Sequence, residues 1–93
     1  MSMNIELVAT GIITLPNGKQ KKIVESFEYI CQTPTEVTYE IEDCATFEGK
    51  LKTYLQWVEK EMYQGDAKRH ITLIKKWIKE KTEDGYNLSW EIV

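Results

Sequence analysis

The chain reads as one α+β domain: an antiparallel sheet with helices packed on a single face. Three observations predict this. Leu15-Pro16-Asn17-Gly18-Lys19 is a tight-turn sequence between two alternating segments, apolar spacings of three and four run from residue 46 to about 82, and alternation returns from Tyr86 to Ile92. The expected order is strand, strand, a third strand, helix, helix, strand.

The first pair rests on the turn. Pro16 presets φ for the second position of a type I turn, Asn17 suits the third, and Gly18 accepts the left-handed residue that follows. A three-residue hairpin loop of this kind fixes a register. Leu15 then faces Lys19, Gly11 faces Ile23, Leu7 faces Phe27 and Ile5 faces Tyr29. Ile5, Leu7, Ala9, Ile13, Leu15, Ile23, Phe27 and Tyr29 share the inner face under this register. The other face carries Val8, Ile12, Val24 and Ile30 among polar residues, which makes those four candidate protein-contact residues.

Residues 33–45 carry two patterns. Thr33-Pro34-Thr35-Glu36 has the form of a helix-capping box with Pro at the first helical position. Val37-Thr38-Tyr39-Glu40-Ile41-Glu42 alternates strictly and is rich in β-formers, and the segment is assigned as the third strand, which puts Glu40 and Glu42 on one solvated side. Val37 and Ile41 also satisfy helical spacing.

From Thr46, Phe47, Leu51, Tyr54, Leu55, Val58 and Met62 recur at helical intervals, giving an amphipathic helix over about 46–63. Gly49 weakens its first turn. Gly65 and Asp66 are expected to end that helix and to cap the next, which presents Ala67, Ile71, Ile74, Trp77 and Ile78 inward before Glu83-Asp84-Gly85. Tyr86, Leu88, Trp90 and Ile92 form the inner side of a closing strand.

The function classes narrow by subtraction. The 93 residues suit one domain, and 42% apolar, 11% aromatic and 29% charged residues are ordinary globular values that exclude a disordered chain. No apolar run is long enough for a membrane span, and the opening Met1-Ser2-Met3-Asn4-Ile5-Glu6 carries no export-signal pattern, so a cytoplasmic location with free thiols at Cys31 and Cys44 is expected. Two cysteines and one histidine cannot supply a four-ligand zinc site. Gly11 to Gly18-Lys19 lacks both the spacing and the Ser/Thr of a phosphate-binding loop, and Asn87-Leu88-Ser89 is a chance sequon without export. No nucleophile, base and orienting partner can be assembled around the single His70, for which a surface contact to Asp66 one turn earlier is expected. No catalytic residue, cofactor or metal is assigned.

What remains is surface. The net charge is −3, yet residues 1–48 carry three basic and eight acidic side chains whereas 49–93 carry nine and seven. Lys68, Arg69, Lys75, Lys76 and Lys79 crowd one helix and are candidates for phosphate or an acidic partner, with Lys19, Lys21 and Lys22 at the hairpin tip as possible company. With a single arginine, base readout has almost no fork donors, so nucleic-acid binding through this helix would be weak and salt-sensitive. Trp57 falls between the inner residues Tyr54 and Val58 and is a candidate rim contact. The leading expectation is a non-enzymatic protein-interaction module, an adaptor, inhibitor or assembly factor of the kind that phages and mobile elements often encode. A homodimer through a strand edge or the outer face is a further candidate.

Overall fold

Ten consecutive residues, Ile5–Thr14, β-branched or small except for Glu6 and Leu7, form the strand on which the rest is built. The structure, a computed structural model, describes residues 4–92; the first three residues of the opening read above for an export signal lie outside it. The elements in order are β1 (Ile5–Thr14), β2 (Gln20–Ser26), α1 (Thr35–Asp43), α2 (Phe47–Glu61), α3 (Gln64–Glu83) and β3 (Asn87–Ile92). The sheet is antiparallel with order β2-β1-β3.

The hairpin has the expected register, with Gly11 opposite Ile23 and Val8 opposite Ser26. Gly18 adopts φ of 83°, its amide donates to the Leu15 carbonyl at 2.9 Å, and the Lys19 amide donates to the Asn17 side chain at 3.0 Å. The expected pair of Ile5 with Tyr29 does not form. The ladder ends with the Phe27 amide on the Leu7 carbonyl (2.9 Å), the chain turns away at residues 28–29, and Ile5 pairs with Ile92 instead.

Residues 35–43 are helix rather than the third strand expected. Tyr39 decides it: alternation would place it beside Val37 and Ile41, but it is 52% exposed while Thr38 and Ile41 are buried. The helix gives the buried Thr38 hydroxyl two partners, the Pro34 carbonyl (3.0 Å) and the Thr33 hydroxyl (2.6 Å). In a strand the carbonyl of residue 34 could not reach it, and an unsatisfied buried hydroxyl is costly. Pro34 sits one residue earlier than expected, at the N-cap position. At the other end the Lys50 ammonium donates to the Ile41 and Glu42 carbonyls at 3.1 and 2.8 Å, closing a last turn that has no basic residue of its own.

Thr46 caps α2, accepting from the Gly49 amide at 3.0 Å. Gly65 and Asp66 do not separate the two long helices as expected; both lie in the first turn of α3, whose N-cap is Tyr63. A carboxylate in the first turn complements the helix dipole, which is the better use of Asp66. At its far end α3 closes in a Schellman motif, with Gly85 at φ 82°, the Tyr86 amide on the Lys81 carbonyl (2.9 Å) and the Gly85 amide on the Thr82 carbonyl (3.1 Å).

All three helices contribute to one core with the inner residues of β1. Leu7, Ile41, Tyr54, Val58 and Ile74 are fully buried there, Phe27 joins from the end of the hairpin, and Trp77 and Trp90 pack against it. The Trp90 ring lies 5.3 Å from Tyr54 and 6.1 Å from Phe47. The roof stops short of the hairpin tip. β3 pairs only with Ile5–Thr10, so the distal hairpin has two strands and projects from the body. The radius of gyration is 14.8 Å, against about 12 Å for a compact chain of this length.

Candidate interaction surface

The projecting arm combines exposed apolar side chains with unpaired backbone. Leu15 and Lys19, and Phe27 and Leu7, are joined by ladder hydrogen bonds. Because bonded and non-bonded pairs alternate in an antiparallel ladder, odd-numbered residues of β1 and β2 bond each other and even-numbered ones point their amides and carbonyls the other way. On β1 those groups meet β3 as far as Thr10, opposite Asn87. Ile12 and Thr14 lie beyond that, and the even residues of β2, including Lys22 and Val24, face no strand among the described residues.

Ile12 is 68% exposed and Val24 59%, and both lie on the outer face of this arm. Ile13 is exposed on the inner face, beyond the helical roof. The other contact candidates have different surroundings. Val8 is 2% exposed, so it is closed to a partner; it lies in the overlap, residues 8–10, in which β1 has strands on both sides. Ile30 is half-buried against the core because the chain after Phe27 folds back onto the helices. Trp57 is half-buried too, 6.1 Å from the Tyr54 ring, and lines a groove of about 430 Å³ between α1 and α2 with Val37, Glu36 and Glu40.

Lys68, Lys75, Lys76 and Lys79 are exposed along α3, and no carboxylate is in ion-pair range of them among the described residues. Arg69 differs, since its guanidinium is 3.0 Å from Asp66. Lys81 faces the sheet, pairs with Glu25 and lies over the Tyr86 ring at 5.1 Å; the hydrogen bond to Glu25 holds its ammonium above the ordinary lysine range. The tip lysines Lys19, Lys21 and Lys22 are exposed.

His70 is not the surface residue expected. Asp66 is taken by Arg69, and the imidazole is 7% exposed with Nε2 2.8 Å from the Tyr54 hydroxyl. That hydroxyl accepts from the Cys31 amide at 2.9 Å, which leaves its own proton for His70. The imidazole is therefore the neutral acceptor, protonated on Nδ1. Burial lowers the His70 pKa and raises that of Tyr54. The helical phase that puts Ala67 and Ile74 inward also carries residue 70 inward, a signal present in the sequence spacing.

Cys31 and Cys44 are free, and no group of three potential metal ligands occurs among the described residues. No described helix is long and apolar enough to cross a membrane. No family model matches the chain, and no curated protein or solved structure is detectably similar to it.

Proposed function

We propose that the chain is a non-enzymatic protein-interaction module, working in the cytoplasm, whose contact element is the projecting hairpin arm. The observation that carries this reading is the coincidence, on one short two-stranded element, of exposed Ile12 and Val24 with strand edges that no other strand among the described residues covers. Apolar side chains beside an open edge are what strand addition by a protein partner uses: main-chain bonds supply affinity and the side chains supply choice. The commitment of the only imidazole to Tyr54 inside the core supports the non-enzymatic half of the proposal. The test is a photo-crosslinking amino acid placed at Ile12, and separately at exposed Glu59 on α2, in cells of the source organism. Protein adducts at Ile12 and none at Glu59 support the reading; a bare arm overturns it.

A second reading has its own observation. The four unpaired lysines of α3 form a basic surface suited to nucleic-acid phosphates. Under it, a gel shift at low salt disappears when Lys75 and Lys79 are both changed to Glu. A chain that shifts no duplex or single strand at low salt ends this reading.

A further inference from the structure

We propose that the arm's partner is a second copy of this chain, joined through the outer edge of β2 in antiparallel pairing about a two-fold axis at Ile23. The inference rests on the interaction-module reading and names the occupant of its edge.

The register follows from backbone direction and charge. Even-numbered residues of β2 point their hydrogen-bonding groups outward, so two copies can pair only where even residues face even residues. Centring on Ile23 sets Lys22 against the partner's Val24 and Gln20 against the partner's Ser26, which engages all seven residues of Gln20–Ser26. It also sets Lys21 opposite the partner's Glu25, and Glu25 opposite the partner's Lys21, an opposite-charge arrangement in which each Glu25 serves both the Lys81 of its own chain and the lysine across the axis. Slipping the axis to Lys22 brings that lysine against its own copy. Slipping it to Val24 leaves Glu25 opposite the partner's Ile23 and Lys21 opposite the partner's Phe27.

Edge lysines ordinarily deter strand pairing. Here they select one register, because only the axis at Ile23 answers Lys21 with a carboxylate without opposing like charges. The antiparallel sense carries each hairpin tip toward the other copy's Phe27. Beside Phe27 lies an open groove of about 490 Å³ lined by Glu25, Glu28, Tyr29 and Trp77. A basic tip with Lys19 and Lys21 thus approaches an acidic groove, twice by symmetry. The result is one six-stranded sheet with both helical layers on the same side, and Ile23 of each copy meeting at the axis.

Light scattering of the full chain at high micromolar concentration is expected to give twice the 10.9 kDa chain mass. Proline at Val24 removes only an outward amide and leaves the β1–β2 ladder whole, so Val24→Pro is expected to be a monomer with unchanged far-UV circular dichroism. In an otherwise cysteine-free chain (Cys31→Ala, Cys44→Ala), Ile23→Cys is expected to form an oxidised dimer and Val24→Cys is not. Residue 23 faces itself as a non-bonded pair, with Cα atoms about 4.5 Å apart, inside disulfide range. A monomeric parent chain overturns the proposal, as does a dimer that survives Val24→Pro and leaves Ile23→Cys unlinked. Either failure is separate from failure of the module reading: a monomeric chain with crosslinks from Ile12 to a different protein would uphold the module while self-pairing falls, whereas a monomeric chain with no adduct at all removes both.

Discussion

Tyr54 ties three parts of the chain together through one oxygen. It accepts from the Cys31 amide after the hairpin and donates to His70 on α3, while its ring lies in the core against Trp90. Tyr54→Phe leaves two buried groups without partners and is expected to cost about 1–3 kcal/mol by chemical denaturation. His70 adds a pH dependence of definite sign. Its folded pKa is lowered by burial, so between that value and the unfolded value of about 6.5 the unfolded chain binds more protons. The stabilisation from neutral His70 is therefore present above about pH 6.5 and is lost as pH falls through the folded pKa. Protonation would also make Nε2 a donor and deprive the Tyr54 proton of its acceptor. Unfolding midpoints from pH 8 to pH 5 should fall in the parent chain and fall less in His70→Gln. Gly11 is a second sensitive position: a Cβ there would stand 2.6 Å from the Tyr86 ring. Gly11→Ala is expected to destabilise by about 1–3 kcal/mol, since the added carbon overlaps the ring and forces ring or strand to shift.

At the scale of elements, the parts that sequence made legible are those with redundant signals. The hairpin had turn chemistry and two alternating flanks, and its register was readable from Leu15 to Phe27. The helix from Phe47 had a cap, a period and sufficient length; Thr46→Ala is expected to cost about 1 kcal/mol, read as a lowered unfolding midpoint. Residues 35–43 misled because the segment is short and its side chains fit both periods. What separates them is the hydrogen-bond partnership of Thr33, Pro34 and Thr38, which exists only in the folded chain. The boundary at Gly65 misled for a related reason: a Cβ there would meet nothing within 4 Å, so no packing contact calls for glycine in the first turn of α3. Exposed edges leave their own signature in amide exchange. Among single-chain amides, Ile12, Thr14, Lys22 and Val24 should exchange faster than Ile13, Lys21 and Ile23, and of those four self-association should slow only Lys22 and Val24.

The molecule as a whole divides into a roofed body and an uncovered arm. Sequence identified Ile12 and Val24 as outward-facing, but it could not separate them from Val8, which shares their face and is 2% exposed. The difference lies in how far β3 runs along β1, a property of the assembled sheet and not of any local pattern. Because the arm lies outside the core, Ile12→Lys is expected to change unfolding free energy by no more than about 0.5 kcal/mol while abolishing protein adducts from a photo-crosslinking residue placed at Val24.

The sheet places Ile5 directly across from Ile92, so both described ends of the chain emerge side by side. Ten extended residues then separate that pole from the loop at Pro16 and Asn17, a span of roughly 30 Å. Anything attached at either terminus, whether an affinity handle, a fluorophore or a neighbouring domain, is thereby anchored at the opposite pole to the tip. Tethering the chain to a surface by its ends would leave the hairpin tip pointing into solution.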